Sequence, residues 1–223
     1  MTAGRPPSVP AVLCRLERAY GKRPWRTWGQ PLDLLIGTIL SQHTNDRNSG
    51  LAMQRLEKAF PDWDDVADAP LWKIAGAIRP AGLHRQKARS IRDIMRRLRA
   101  EHGRATLDFV RRWPTDRIKA YLLSLPGVGP KTAACVLLFS RLKRPVLPVD
   151  THVHRVSRRL GLIGPKTSAE KAHELLAALV PADRVYAFHV LLIQHGRQVC
   201  HARRPDHAAC VLKGICPRVG GGR

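Results

Sequence analysis

Apolar residues recur at intervals of three and four along almost the whole chain, the spacing that lines one face of an α-helix. No run alternates β-branched or aromatic residues with polar ones, so the pattern predicts an all-α fold. The periodic stretches place helices over 9–20, 31–41, 48–60, 64–77, 83–99, 115–124, 130–141, 151–160, 168–179 and 183–195. Thr115 and Ser168 are expected to cap the free amides of a following turn, and Pro130 suits a first helical position. Gly21, Pro61 and Gly161 mark stops. Periodicity is missing from the first ten residues and from 217–223, which are expected to fray. The longest apolar runs, 32–40 and 133–139, fall far short of the roughly 20 residues of a membrane-spanning helix and read as buried core helices. One weak echo exists: Gly82-Leu83 followed by Lys87, and Gly127-Val128 followed by Lys131, each between two helical patterns.

The 223 residues, 44% hydrophobic and 25% charged, suit one large domain or two lobes with a sizeable core, and exclude the disordered and collagen classes. Charge changes the picture: 39 Lys and Arg against 17 Asp and Glu leave a formal net charge of +22. So basic a chain points to a polyanionic partner. Nucleic acid fits best, because each phosphate neutralised releases condensed counterions and drives binding without base readout. A membrane surface is the lesser rival, and a basic proteome is the bland explanation. The opening MTAGRPPSVP has no apolar run before a cleavage pattern, so export is not expected and the protein is read as cytoplasmic. Five cysteines, an odd number, argue against a disulfide framework.

Candidate chemistry starts at Leu125-Pro126-Gly127-Val128-Gly129-Pro130-Lys131-Thr132, a turn between two predicted helices that needs its glycines for unusual dihedrals and close backbone approach. Its amides and the positive end of the next helix make a site for a phosphate oxygen. The glycine-to-lysine spacing is not that of a Walker loop. Beyond the next predicted helix, Asp150 opens another, and a neutral lysine amine near a carboxylate can attack the anomeric carbon of a deoxyribose and expel the base. The plainer alternative stays open: Lys131 only touches phosphate and Asp150 only caps a helix.

Leu-Pro-Gly-Val-Gly-Pro-Lys-Thr at 125–132, followed by Val-Asp-Thr-His-Val-His-Arg-Val at 149–156, resembles the helix-hairpin-helix and Gly-Pro-Asp elements of the endonuclease III family of DNA glycosylases, over residues 30–217. The resemblance implies a two-lobed all-α fold, with a helical barrel over 30–143 and a second lobe of 1–29 plus 144–223. It makes Lys131 the Schiff-base nucleophile and Asp150 the essential carboxylate, and puts Gly127, Val128 and Gly129 on a phosphate. His152, Arg155 and Arg197 are further DNA-contact candidates. Leu40 to Asp46 resembles the family's early loop, whose polar side chain fills the gap left by a flipped nucleotide. Either Gln42 or His43 would be that side chain, unless Gln42 merely ends a helix. Thr38 stands where the adenine-specific branch has a catalytic glutamate. The implied activity is that of a monomeric, nucleoid-associated bifunctional glycosylase and β-lyase, acting on damaged, oxidised pyrimidines and abasic sites in duplex DNA. A monofunctional glycosylase whose Asp150 activates water, and a non-catalytic helix-hairpin-helix module, are the rivals.

The same resemblance gives meaning to Cys200, His207, Cys210 and Cys216, spaced Cys-x6-His-x2-Cys-x5-Cys where the family's iron-sulfur loop has four cysteines. Three thiolates and an imidazole suit a [4Fe-4S] cluster or structural zinc, and a metal-free loop is the third possibility. His201 is a second candidate of poorer spacing. A histidine ligand predicts acid lability, and a cluster would fix Arg197, Arg203, Arg204 and Lys213 as a DNA-facing surface. Cys14 and Cys135 are expected to be buried, Trp25 and Trp28 to pack between helices, and Arg96, Arg97, Arg99, Arg158 and Arg159 to form solvated faces.

Overall fold

A computed structural model describes residues 6–217. Eleven α-helices lie among them: α1 Val9–Tyr20, α2 Pro31–Ser41, α3 Asp46–Ala59, α4 Trp63–Asp68, α5 Leu71–Ala77, α6 His84–His102, α7 Thr115–Leu123, α8 Pro130–Phe139, α9 Thr151–Arg159, α10 Ala169–Leu179 and α11 Val185–Gln198. No strand forms among the described residues, so the fold is all-α, as the periodicity predicts. No single helix among them is long and apolar enough to cross a membrane. By contact density the chain divides into two compact units, Thr27–Arg144 and Met1–Arg26 with Pro145–Arg223.

The unit Thr27–Arg144 is built on its two most apolar helices. α2 packs against α8 and α3, and every residue from Thr132 to Phe139 is buried. Each fully buried Leu or Ile here adds about 1.5–3 kcal/mol. Two helices start where side chains satisfy free amides: Asn45, before α3, accepts from Asn48 N–H at 2.9 Å, and Asp62, before α4, from Asp64 N–H at 3.0 Å. Asp64 in turn accepts from Ala105 N–H at 2.6 Å, which fastens the chain beyond α6 to α4. Trp28 stacks on Phe139 with ring centroids 4.2 Å apart, so it packs, although it is 61% exposed.

The unit that joins the chain's two ends is organised by α11, which packs on α9 and α1. Ser8 caps α1 by accepting from Ala11 N–H, and Ser168 caps α10 by accepting from Lys171 N–H. Arg184 pairs with Glu17 at 2.7 Å and Arg23 donates to Gln194 at 2.8 Å, so the N-terminal segment is held to α11 and the turn before it. Trp25 stacks on Tyr186.

Several local expectations are corrected. The helix predicted over 64–77 is two, because Pro70 has no N–H and pushes Ala69 into extended backbone. Thr115 is not a cap: Pro114 precedes α7 with its fixed φ, and no side chain caps the turn. Helix α6 runs on to His102 and stops at Gly103, which takes the left-handed conformation. The opening residues do not fray up to position ten, since Ser8 caps and Val9 is buried; residues 1–5 and 218–223 lie outside the described residues. Cys135 is buried but Cys14 is exposed. Arg96 donates to Ala67 O, Arg97 to Glu101 and Ser124 O, and Arg99 holds Asp68 through two nitrogens, so these arginines bind α6 to its neighbours instead of facing only water.

Candidate nucleic-acid interface and metal-ligand loop

The turn between α7 and α8 is shaped by Gly127 and anchored by Val128. Gly127 has φ +77°, and a Cβ there would sit 3.0 Å from the Ser90 hydroxyl, so only glycine fits. Val128 is buried, whereas Gly127 and Gly129 are exposed. A Cβ on Gly129 would meet no protein atom within 4 Å, so nothing inside the protein requires glycine there. Space next to the backbone is what a ligand needs. Gly129 precedes α8 without any side-chain cap, and Pro130 supplies no N–H, so the amides of Lys131 and Thr132 lack an intrahelical partner. Lys131 is partly exposed on that first turn. The hairpin thus offers backbone donors, a helix N-terminus and one amine together.

The loop after α2 reaches this hairpin through Gln42. Its backbone ends α2, and its side-chain amide donates to Gly127 O at 3.1 Å and to Thr132 Oγ1 at 3.2 Å. Gln42 is thus both a helix-end residue and a tie to the hairpin. His43 follows with an exposed side chain and φ +53°, a conformation uncommon for any residue but glycine. Thr38 is buried and donates to Leu34 O at 2.7 Å.

Lys87 was singled out in the sequence only as part of the hairpin echo. It is 3% exposed, and its ammonium donates to Leu40 O at 2.8 Å, Gln42 O at 2.6 Å and Ala81 O at 2.8 Å. Burial pulls its pKa below the ordinary lysine range, while three carbonyls favour the charged form. Its signal was a lysine on the apolar stripe of α6, beside Ala88, Ile91 and Ile94. The first echo is therefore a buried clamp. Leu83, next to it, is 54% exposed with φ +46°.

In the other unit, Asp150 opens α9 and accepts from Val153 N–H at 2.7 Å. His152 Nδ1 accepts from Arg155 at 3.1 Å, and the same guanidinium donates to Gly196 O at 2.9 Å and Cys200 O at 3.0 Å. Arg155 therefore uses its donors to hold α9 against the end of α11. Arg197 is exposed on the last turn of α11.

Cys200, His207, Cys210 and Cys216 line one cavity of about 380 Å³. Burial raises the Cys210 thiol above its ordinary range, and negative charge on Cys200 and Cys216 raises it further. Three thiols close enough to feel each other's charge are a donor set that a cation stabilises. Arg159, expected on a solvated face, instead donates to Cys200 Sγ at 3.1 Å, His201 O at 2.7 Å and Ala202 O at 3.0 Å. His195, missed in the sequence, is 1% exposed; Tyr20 Oη lies 2.9 Å from its Nδ1 and Cys210 Sγ 3.6 Å from its Nε2. Burial pushes its pKa down to about 4. No three His, Cys, Asp or Glu side chains among the described residues converge on a single ion.

Residues 36–182 match the family described as HhH-GPD superfamily base excision DNA repair protein. The chain is 36% identical to endonuclease III of Thermotoga maritima over 186 residues, 83% of this chain and 82% of that one. It is 32% identical to endonuclease III of Bacillus subtilis, over 83% of this chain and 80% of the other. An Arabidopsis thaliana relative is matched at 35% identity over 65% of its own length. Among solved structures, endonuclease III in a trapped covalent intermediate with DNA superposes with a TM-score of 0.81 at 28% identity, covering 96% of each chain. The hairpin and the early loop both lie inside the matched stretch, and the chain belongs to the HhH-GPD superfamily of base excision DNA repair proteins, among the relatives of endonuclease III.

Proposed function

We propose that this base-excision-repair DNA glycosylase is bifunctional, releasing damaged, oxidised pyrimidines from duplex DNA and cleaving the abasic strand. The observation that carries the reading is Lys131, an amine on the uncapped first turn of α8 next to the open backbone of Gly129. Lys131 Nζ forms a bond to C1′ of the nucleotide as the bond from C1′ to the base breaks, and the base leaves with a proton. The C1′–O4′ bond then breaks, O4′ taking a proton, so that C1′ and Nζ form an iminium; the iminium acidifies the 2′ hydrogen, loss of that proton expels the 3′ phosphate, and water then hydrolyses the imine. Asp150 is the carboxylate of this reaction, accepting the amine's proton or steadying positive charge on the sugar. The amides at Gly127, Gly129 and the start of α8 bind phosphate without reading bases.

His43, rather than Gln42, is the side chain that fills the vacated position in the duplex. Gln42 is committed to Gly127 and Thr132, whereas His43 is exposed. A base that is damaged or missing costs less to unstack, which biases such an enzyme towards lesions.

Cys200, His207, Cys210 and Cys216 would hold a [4Fe-4S] cluster. The spacing of these donors keeps that of the family's iron-sulfur loop with one cysteine replaced by histidine, which supports a cluster over a zinc ion. When bound, the cluster supplies a structural cross-link with no part in the bond changes at the sugar.

The test is borohydride trapping on duplex DNA carrying an oxidised pyrimidine or an abasic site. A covalent adduct that disappears in Lys131→Gln is expected. A folded, DNA-binding protein that gives no adduct overturns the Schiff-base mechanism.

A further inference from the structure

We propose that Lys87 is a positioning residue: its buried ammonium fixes His43 and Leu83 as the two side chains that enter a damaged duplex. The inference rests on the DNA-repair reading above and concerns a residue that takes no part in bond changes.

The ammonium has three protons, and three backbone carbonyls accept them: Leu40 O, Gln42 O and Ala81 O, all within 2.6–2.8 Å. Two of the three acceptors stand just before the residues of interest. Gln42 O belongs to the peptide that leads into His43, and Ala81 O to the turn that leads through Gly82 into Leu83. Lys87 N–H also donates to Leu83 O at 3.0 Å, so the same residue holds Leu83 from both sides. His43 and Leu83 have φ +53° and +46°, two of the four non-glycine residues with positive φ among those described. Such conformations persist only where the surroundings over-determine them.

Both side chains point to contact with another molecule. Leu83 is a large apolar residue left 54% exposed at the start of a helix, and His43 is exposed at a loop tip. An apolar wedge between base steps and a planar polar ring in an emptied base position are what a bent, opened duplex accepts. An ammonium at 3% exposure, with no carboxylate among its hydrogen-bond partners, is costly to bury. Stability alone would be served as well by an apolar residue on the stripe of α6. Placing two strained residues at once is what the charge adds.

The experiment is a set of affinities, by fluorescence anisotropy, for a duplex containing a tetrahydrofuran abasic analogue and for the same duplex intact. Lys87→Met, His43→Ala, Leu83→Ala and the triple variant are compared with wild type, each shown to be folded by circular dichroism. Lys87→Met is expected to lower the preference for the abasic duplex about tenfold, with affinity for intact duplex within about twofold because phosphates dominate it. Added to His43→Ala and Leu83→Ala, it should cost less than about twofold more, since it acts through those residues. An additive loss, an equal loss on both duplexes, or no loss overturns the proposal. If Lys87→Met does not fold, the two surface variants decide: an unchanged preference in both overturns it, and a loss in each supports it. These outcomes are independent of adduct trapping, which tests the Schiff base alone.

Discussion

A methyl group on Gly196 would lie 2.9 Å from Nδ1 of His152 and 3.2 Å from Arg155 Nη2. The contact explains why a glycine sits on a buried turn of α11, where it weakens the helix by about 0.5–1 kcal/mol relative to alanine. Its absent side chain lets α9 approach closely enough for Arg155 to reach Gly196 O and Cys200 O.

Gly196→Ala is therefore expected to destabilise the protein despite its better helix propensity. Overpacking of this kind costs about 1–3 kcal/mol. Urea denaturation would read it as a lower midpoint with unchanged slope. A variant as stable as wild type would mean that His152 moves aside freely.

The His152 imidazole is held below the ordinary histidine value of 6.5, first by burial and then by the charges of Arg155 and Arg197, against opposing effects of Asp150 and the Gly196 backbone. In the window between the folded value and 6.5, the unfolded chain binds more protons than the folded one. Stability therefore rises with pH through that window and is lost as pH falls through it. Buried His195, pushed down to about 4, adds a slope of the same sign, so denaturation midpoints measured from about pH 7.5 down to about pH 5 should show the sum, and His152→Gln should reduce the slope without abolishing it. A slope unchanged by the substitution would assign it to His195 alone.

Much of this architecture is legible in the chain, and the failures are instructive. The ends of α1 and α2 follow from apolar spacing together with Gly21 and with Pro31 at the helix start. Pro70 was visible too, but the apolar pattern runs across it, and only the backbone shows that the proline wins. Thr115 is the kind of residue that caps helices; Pro114 displaced it by one position. The hairpin was readable because glycine and proline act locally. Lys87, Arg159 and His195 were not, since their roles depend on carbonyls and a thiol far away in sequence. Polar residues inside a fold leave no periodic signal of what they bind.

The cysteine loop makes a chemical prediction. Anaerobically purified protein should carry both iron and acid-labile sulfide, and Cys200→Ser or Cys216→Ser should lower both. His207→Cys should retain them, because it restores a thiolate on the wall of the same cavity. Stoichiometric zinc without sulfide would reverse the assignment. Arg159→Met should loosen the loop as well, since four contacts to residues 200–202 go with the guanidinium.

Gln42 and His43 are adjacent in sequence and are expected to fail in different ways. Gln42→Ala removes two hydrogen bonds from a partly exposed amide, to Gly127 O and Thr132 Oγ1, and should lower stability by about 0.5–1.5 kcal/mol. Its effect on recognition would come through a looser hairpin, so intact and abasic duplexes should be weakened together. His43→Ala removes an exposed side chain with no part in the core and should leave stability within about 0.5 kcal/mol. What it should lose is the preference for a duplex with a vacated position, because nothing then occupies the gap. Thermal melts and paired affinities on the two duplexes separate the cases. If Gln42→Ala alone abolished the preference, Gln42 would have to leave the hairpin on binding, and the commitment seen in its hydrogen bonds would belong to the free protein only.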